Sequence, residues 1–220
     1  MIELAPPFRW EGPAIALELP GGSVRFTTRR ASALTDLDPA AGLRAAQSPQ
    51  VHGARVRRIE RAADLDDPGD FDGQATSLEG VACIVRVADC LPVALVAPGA
   101  VAVLHAGWRG LQAGILAAGA AAIRELGGGE VRAAIGPGAG VCCYEAGAQV
   151  HAAFAGYGPD ARRGAHADLK AVARAQLAAA GVGEIHDVGL CTICADPRAF
   201  WSFRREGDAA GRQLGVAWRS

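Results

Sequence analysis

Short β-branched runs and segments of helical period interleave along these 220 residues, which predicts an α+β fold of layered α/β type: mixed β-sheets flanked by helices, in a single domain over residues 1–220. Three observations carry that expectation. Val81 to Val87 is a continuous apolar run of the kind found in a strand covered on both faces. Val93 to Ala97 and Val101 to His105 flank Pro98-Gly99-Ala100 and read as a β-hairpin with a three-residue turn. Beyond His105 the period changes: Leu111, Ile115, Ala118, Ala122 and Leu126 fall at helical spacing until Gly127-Gly128-Gly129 stops the run.

Taken in order, Ala14 to Leu19 and Val24 to Thr28 surround Pro20-Gly21-Gly22 and predict a first hairpin. Ala54 to Glu60 reads as a strand, which sets His52 at a strand mouth. Asp64 to Asp72 is acidic, contains Pro68 and Gly69, and is expected as a surface loop; Gly73 to Thr76 leads from it into the Val81 run. The helix over Leu111 to Leu126 begins just after Trp108-Arg109-Gly110. Val131 to Ile135 is a strand ending in Gly136-Pro137-Gly138-Ala139-Gly140, a turn without the following lysine of a P-loop. Cys142-Cys143-Tyr144-Glu145 opens a helical stretch towards Ala155. Asp168 caps a helix that runs to Ala180, with Gly181 at its end. Ile185 to Leu190 and Leu214 to Trp218 are the last strands, and no repeat or interdomain linker is visible.

Half the residues are hydrophobic, enough to bury a sizeable core without disulfides. The formal net charge of −1 leaves no basic footprint, which argues against nucleic acid or an anionic membrane as partner. Met1 to Glu11 lacks a cationic region followed by an apolar stretch, and no run approaches membrane-spanning length, so a soluble, cytoplasmic protein is expected. Six cysteines there are expected to be thiols rather than bridges. Oligomeric state leaves no mark on the sequence.

The chemistry concentrates in His52 (Ser48-Pro49-Gln50-Val51-His52-Gly53), Cys90 (Val87-Ala88-Asp89-Cys90-Leu91-Pro92) and His105 (Leu104-His105-Ala106-Gly107-Trp108-Arg109-Gly110). Two imidazoles and a thiolate leave a fourth position open on a tetrahedral metal, the arrangement of a catalytic zinc site. The predicted hairpin leaves Cys90 and His105 about three residues out of register, on the order of 10 Å, which a bend through Leu91-Pro92 would close. Nothing local places His52 beside them. The plainer reading takes Cys90 as a small hydrophobe and His105 as a hydrogen-bonded structural residue. Asp89 and Arg109 weaken it, because charges set beside apolar strands need a reason.

Arg109 sits at a predicted helix N-terminus among glycines, a site suited to phosphate; its plainer role is a surface ion pair. Arg204-Arg205 follow Phe200-Trp201-Ser202-Phe203, a combination that can clamp phosphate and stack a base, or else two solvated arginines on an edge strand. Arg29 is a similar candidate. His151, His166 and His186 read as surface or structural. Cys191-Thr192-Ile193-Cys194, with Cys142-Cys143, suggests a second, structural zinc site, but adjacent cysteines rarely chelate together and a lone CxxC is weak evidence; thioredoxin-like redox work is not expected either, since no helical signal begins at the motif. Packing near the active site is the expected role.

Val87-Ala88-Asp89-Cys90-Leu91-Pro92-Val93, His105-Ala106-Gly107-Trp108-Arg109-Gly110, Ile135-Gly136-Pro137 with Cys142-Cys143-Tyr144-Glu145, and Phe203-Arg204-Arg205 with Gly211-Arg212 resemble one known family. It was first described as multicopper polyphenol oxidase or laccase-like. It is now mostly described as purine nucleoside phosphorylases with adenosine deaminase activity, and it includes the peptidoglycan editing factor. The resemblance runs from Arg25 onward and implies a layered fold and a zinc held by His52, Cys90 and His105. It also departs from the pattern: after Phe26-Thr27-Thr28-Arg29 the chain has the shorter Ala31 to Asp38, without the usual glycine-rich, asparagine-containing loop.

The expected function is therefore zinc-dependent phosphorolysis and deamination of purine nucleosides. Arg109, with Arg29 or Arg205, would hold phosphate, and Asp89 would carry a proton or support the ligands. An alternative makes Cys90 a nucleophile with His105 as base, an amide hydrolase acting on peptidoglycan precursors. Copper-dependent polyphenol oxidation is the weaker alternative, since five histidines are too few for a multicopper centre. A zinc that only staples the sheet would need a fourth ligand, which the sequence does not offer.

Overall fold

The computed structural model of the chain describes residues 2–38, 40–66 and 69–220. Seven strands precede the central hairpin: β1 (Arg9–Glu11), β2 (Ala14–Leu19), β3 (Gly22–Thr27), β4 (Arg44–Ala46), β5 (Val56–Ile59), β6 (Gly73–Thr76) and β7 (Val81–Val87). The hairpin itself is β8 (Leu91–Ala97) and β9 (Ala100–Ala106). Then follow β10 (Arg132–Ile135), the short pair β11 (Arg162–Arg163) and β12 (His166–Ala167), β13 (Glu184–Asp187) and β14 (Gln213–Trp218). The helices are α1 (Trp108–Ala113), α2 (Ile115–Glu125), α3 (Ala148–Ala153), α4 (Leu169–Ala179) and α5 (Phe203–Glu206).

The strands form two mixed six-stranded sheets, in the orders β1-β2-β3-β14-β7-β4 and β13-β10-β8-β9-β6-β5. This is the α+β architecture that the sequence predicts. Strand alternation sorts the hairpin's apolar side chains into two cores. Ala94, Val96, Val101 and Val103 face the first sheet and pack with Phe26, Val85 and Ala217. Leu91, Val93, Leu95 and Leu104 face the other way, onto Leu116 and Ile123 of α2 and Val172 and Leu177 of α4. The outer face of the first sheet is covered without long helices, by Leu34 and Ala40 of two short 3-10 segments and Leu37 between them, over Ile84 and Val216.

Several local expectations change. The central turn has two residues, Pro98 and Gly99, because Ala97 already pairs with Ala100. The helix expected over Leu111 to Leu126 starts three residues earlier, at Trp108, and is broken at Gly114, whose φ of 89° is left-handed. Cys142 and Cys143 lie in a turn, and the helix that follows begins only at Ala148. Of the acidic stretch, Ala62–Asp66 is a 3-10 segment, Pro68 lies outside the described residues, and Phe71 and Asp72 are buried. Gly73–Thr76 is not a lead-in to β7 but a strand of the other sheet, pairing with β5 and β9. Among the described residues no helix is long and apolar enough to cross a membrane.

Candidate metal centre and active site

With a two-residue turn, β8 and β9 pair Pro92 with His105 and Leu91 with Ala106. Cys90 then stands one step beyond Pro92, diagonal to His105 on the sheet face that looks toward the first sheet. No bend through Leu91-Pro92 is required. Beyond β9, Gly107 caps α1, and a Cβ there would come within 2.8 Å of Cys90 Sγ and 3.2 Å of His52 Cδ2. Glycine is what leaves room for the thiol and the imidazole to meet.

His52 arrives from a loop held by one buried carboxylate. Asp72 is fully buried, and its oxygens accept from the backbone N–H groups of Val51 (3.2 Å), His52 (2.9 Å) and Gly53 (2.7 Å). These bonds fix His52 at a φ of 62°, a conformation rare for residues other than glycine. The same carboxylate lies 2.7 Å from His105 Nδ1. Such a carboxylate holds the proton on Nδ1 and leaves Nε2 as the free donor, the usual support of a metal-bound histidine. Asp72 is the functional residue that sequence reasoning missed. Its position at the end of an acidic stretch disguises it, and no signal in the sequence separates it from a solvated loop residue.

The donor atoms of His52, Cys90 and His105 lie within 4.8 Å of one another, and the two imidazole rings stand edge to face at 4.8 Å. Burial pushes the Cys90 thiol up, but hydrogen bonds and charge from His105 and His52 outweigh it and bring the group to about 7. Burial lowers His105, while its bonds to Asp72 and Cys90 raise it to about 9. The set therefore fits a thiophilic divalent ion: a thiolate poised near neutrality, a tautomer-fixed imidazole and a second imidazole, cradled where a side chain on residue 107 would intrude.

These residues lie in a cavity of about 900 Å³, a size suited to a small organic ligand. Arg109 and Arg204 line it, as the sequence suggests. Arg109 is exposed, stacks over Trp108 at 4.4 Å and has no carboxylate partner among the described residues, contrary to its plainer reading as one half of an ion pair. Arg204 lies over Tyr144 at 5.1 Å and donates to the Glu145 carbonyl at 3.0 Å. It sits on the short helix α5, not on an edge strand. Arg29 and Arg205 are not brought to the cavity. Arg29 stacks on Trp201 at 3.6 Å and pairs with Glu206, while Arg205 donates to the carbonyls of Thr192 (2.8 Å) and Ile193 (3.0 Å) and also pairs with Glu206. Arg86 and Arg212, which the sequence did not single out as site residues, do line it. The other histidines, His151, His166 and His186, lie outside this group.

Asp89 also takes a left-handed φ, of 80°. Its carboxylate accepts from Thr192 Oγ1 (2.6 Å), Ser202 Oγ (3.0 Å) and the Arg204 N–H (2.7 Å), and its carbonyl accepts from Ala139 N–H (2.7 Å). Three donors on two oxygens make the carboxylate a fixed acceptor for two chain segments, at Thr192 and at Ser202 to Arg204, and the carbonyl draws in a third at Ala139.

Over residues 23–220 the chain matches the family described as multi-copper polyphenol oxidoreductase laccase. It is 38% identical over 188 residues to a purine nucleoside phosphorylase of Xylella fastidiosa, covering 77% of this chain and 70% of that protein. It is 36% identical over 192 residues to adenosine deaminase RL5 of an unknown prokaryotic organism, covering 77% and 73%. The crystal structure of YlmD from Geobacillus stearothermophilus aligns with a TM-score of 0.84 over 96% of this chain and 98% of that one, at 28% identity.

Proposed function

This chain belongs to the multi-copper polyphenol oxidoreductase laccase family, and from that premise we propose that it is a zinc-dependent purine nucleoside phosphorylase with adenosine deaminase activity. The observation that carries the reading is the convergence of His52, Cys90 and His105 in a cavity lined also by Arg109, which has no carboxylate partner among the described residues. His52, Cys90 and His105, the last through Nε2, would hold the metal. When bound, zinc supplies Lewis acidity, the chemistry that activates water at neutral pH.

The protein's own groups do the rest. Arg109, and with it Arg204, holds phosphate by charge-assisted hydrogen bonds at the ribose C1′, where the C–O bond to phosphate forms as the bond to the purine nitrogen breaks. Tyr144 and Phe203 offer ring faces to the base. Asp89 acts as a positioning residue for Cys90 and Arg204 rather than as a proton carrier. Arg29 and Arg205 brace the segment that carries Arg204. The copper oxidase reading gains nothing from the site, where two histidines and one cysteine meet and the other three histidines stand apart.

A second reading has one observation in its favour. Cys90 near 7 beside His105 near 9 is the charge state of a thiolate–imidazolium pair, which suits nucleophilic attack on an amide such as that of a peptidoglycan precursor. Either activity would belong to a cytoplasmic protein.

The test is a chromatographic assay of the purified protein with adenosine, with and without phosphate, beside Cys90→Ala. Adenine appearing only with phosphate reports phosphorolysis, and inosine without it reports deamination. Both should vanish, with the bound metal, in Cys90→Ala; an active, metal-free Cys90→Ala protein sinks the mechanism. No turnover by a folded, zinc-loaded sample, with amide hydrolysis blocked by thiol alkylation and untouched by chelators, selects the second reading.

A further inference from the structure

Away from the histidines, a second group of ligating side chains comes together. The Sγ atoms of Cys142, Cys143, Cys191 and Cys194 all lie within 4.8 Å of one another, with Cys142 and Cys194 at 3.5 Å. Sequence reasoning set these cysteines aside as packing residues, yet Cys142 and Cys194 are exposed and Cys143 is half-exposed, which packing alone does not call for. We propose that the four thiols form a second metal site, a closed tetrahedral thiolate centre for a thiophilic cation of the zinc class.

Three lines of geometry support it. Four sulfurs at ~2.3 Å from a tetrahedral zinc stand about 3.8 Å apart; Cys142 and Cys194 lie at 3.5 Å, and none of the four is more than 4.8 Å from another. All four thiols are free and none is paired in a disulfide, and a tetrahedral S4 set is a zinc or iron donor set. The Cys191 sulfur also has a backbone donor from the facing loop, the Gly140 N–H at 3.2 Å, so the two loops already meet at this thiol. Adjacent cysteines serve here because Cys142 and Cys143 sit in a tight turn, with both Cys143 N–H and Tyr144 N–H donating to the Gly140 carbonyl.

Binding would release thiol protons and join the 138–143 and 190–195 loops, which already touch through Thr192 N–H to the Gly138 carbonyl at 3.0 Å. With four protein ligands no position stays open for substrate, so the centre is structural. Its reach is nonetheless long. Thr192, between the two cysteines of the motif, donates to Asp89, and Tyr144 follows Cys143 directly. Metal in this clamp would steady one wall of the cavity.

The experiment is metal counting on the purified full chain, loaded with Zn²⁺ or Co²⁺ under reducing conditions and desalted. Two equivalents are expected in the wild type, one in Cys142→Ser/Cys194→Ser and one in Cys90→Ser. A single equivalent in the wild type, unchanged by Cys142→Ser/Cys194→Ser, overturns the proposal. Should that variant not fold, alkylation of the wild type followed by peptide mass mapping decides. Cys142 and Cys194 should resist iodoacetamide in the metal-loaded protein and react after chelation. Equal reactivity in both states, or a mass two hydrogens lighter that marks a Cys142–Cys194 disulfide, overturns it as well.

Discussion

Asp72 and His105 are joined twice: the carboxylate lies 2.7 Å from His105 Nδ1, and the Asp72 carbonyl accepts the His105 backbone N–H at 2.7 Å. The other contacts of that carboxylate hold Val51, His52 and Gly53, so one buried acid sets both histidines of the site.

Asp72→Asn keeps the shape but removes the charge that fixes the Nδ1 proton. Metal affinity should fall roughly 10- to 100-fold, as for other carboxylates that support a metal-bound histidine. Asp72→Ala should also lose stability, about 1–3 kcal/mol, by leaving buried donors unpaired. Competition with a chromophoric chelator reads the first and thermal unfolding the second.

Metal affinity should depend on pH through Cys90 and His105. Both must give up a proton, His105 from a state raised to about 9 and Cys90 from one lowered to about 7. Counting these two groups alone, the apparent affinity is flat above the His105 value. It falls about tenfold per pH unit between the two values, and about a hundredfold per unit below the Cys90 value. Titration across this range in buffers of matched ionic strength checks the two slopes.

Gly107→Ala would place a methyl within 2.8 Å of Cys90 Sγ. The thiol must move, so bound metal and activity should drop together while the fold survives. Metal content measured beside circular dichroism separates those outcomes.

Arg109→Gln should raise the KM for phosphate roughly 10- to 100-fold, the value of one or two charge-assisted hydrogen bonds, and leave phosphate-independent deamination far less affected. Arg29→Gln should spare the KM for phosphate, because Arg29 is engaged by Trp201 and Glu206.

Asp89→Asn tests positioning against proton transfer. A positioning residue predicts a lower rate with an unchanged pH profile, because Thr192, Ser202 and the Arg204 N–H lose an ionised acceptor. Disappearance of one limb of the pH–rate profile would instead make Asp89 the proton carrier.

What could be read from the sequence follows from range. Apolar runs bounded by turn residues exposed β2, β3, β7, β8 and β9, and helical spacing with an Asp cap exposed α4, because each signal lies within a few residues. The runs exposed Cys90 and His105 because a hairpin joins neighbours in the chain. The short strands β4 and β6 escaped, having too few residues to show a period. The break at Gly114 escaped because helical spacing continues across it. Asp72 looked like part of a solvated acidic run, and only its pairing with His105 in space shows otherwise. Arg29 and Arg205 read as binding residues from their aromatic flanks, and their engagement with Glu206, away from the cavity, arises between segments that no local pattern joins. The four cysteines lie on two loops whose bridge, Gly138 beside Cys191, is invisible to local pattern.

The position of β14 bears on how the molecule assembles. Gly215 pairs with Phe26 on one side and Val85 on the other, so a strand late in the sequence is the wedge between two that come early. Until it inserts, β3 and β7 present bare apolar edges, a hazard for sticking to other chains, and closing so wide a loop makes for slow folding. Gln213 of the same strand grips the Trp201 backbone through both ends of its amide, and the segment that follows reaches Asp89. Recovery of activity during refolding should therefore lag behind the return of helix, and arrive with this final insertion.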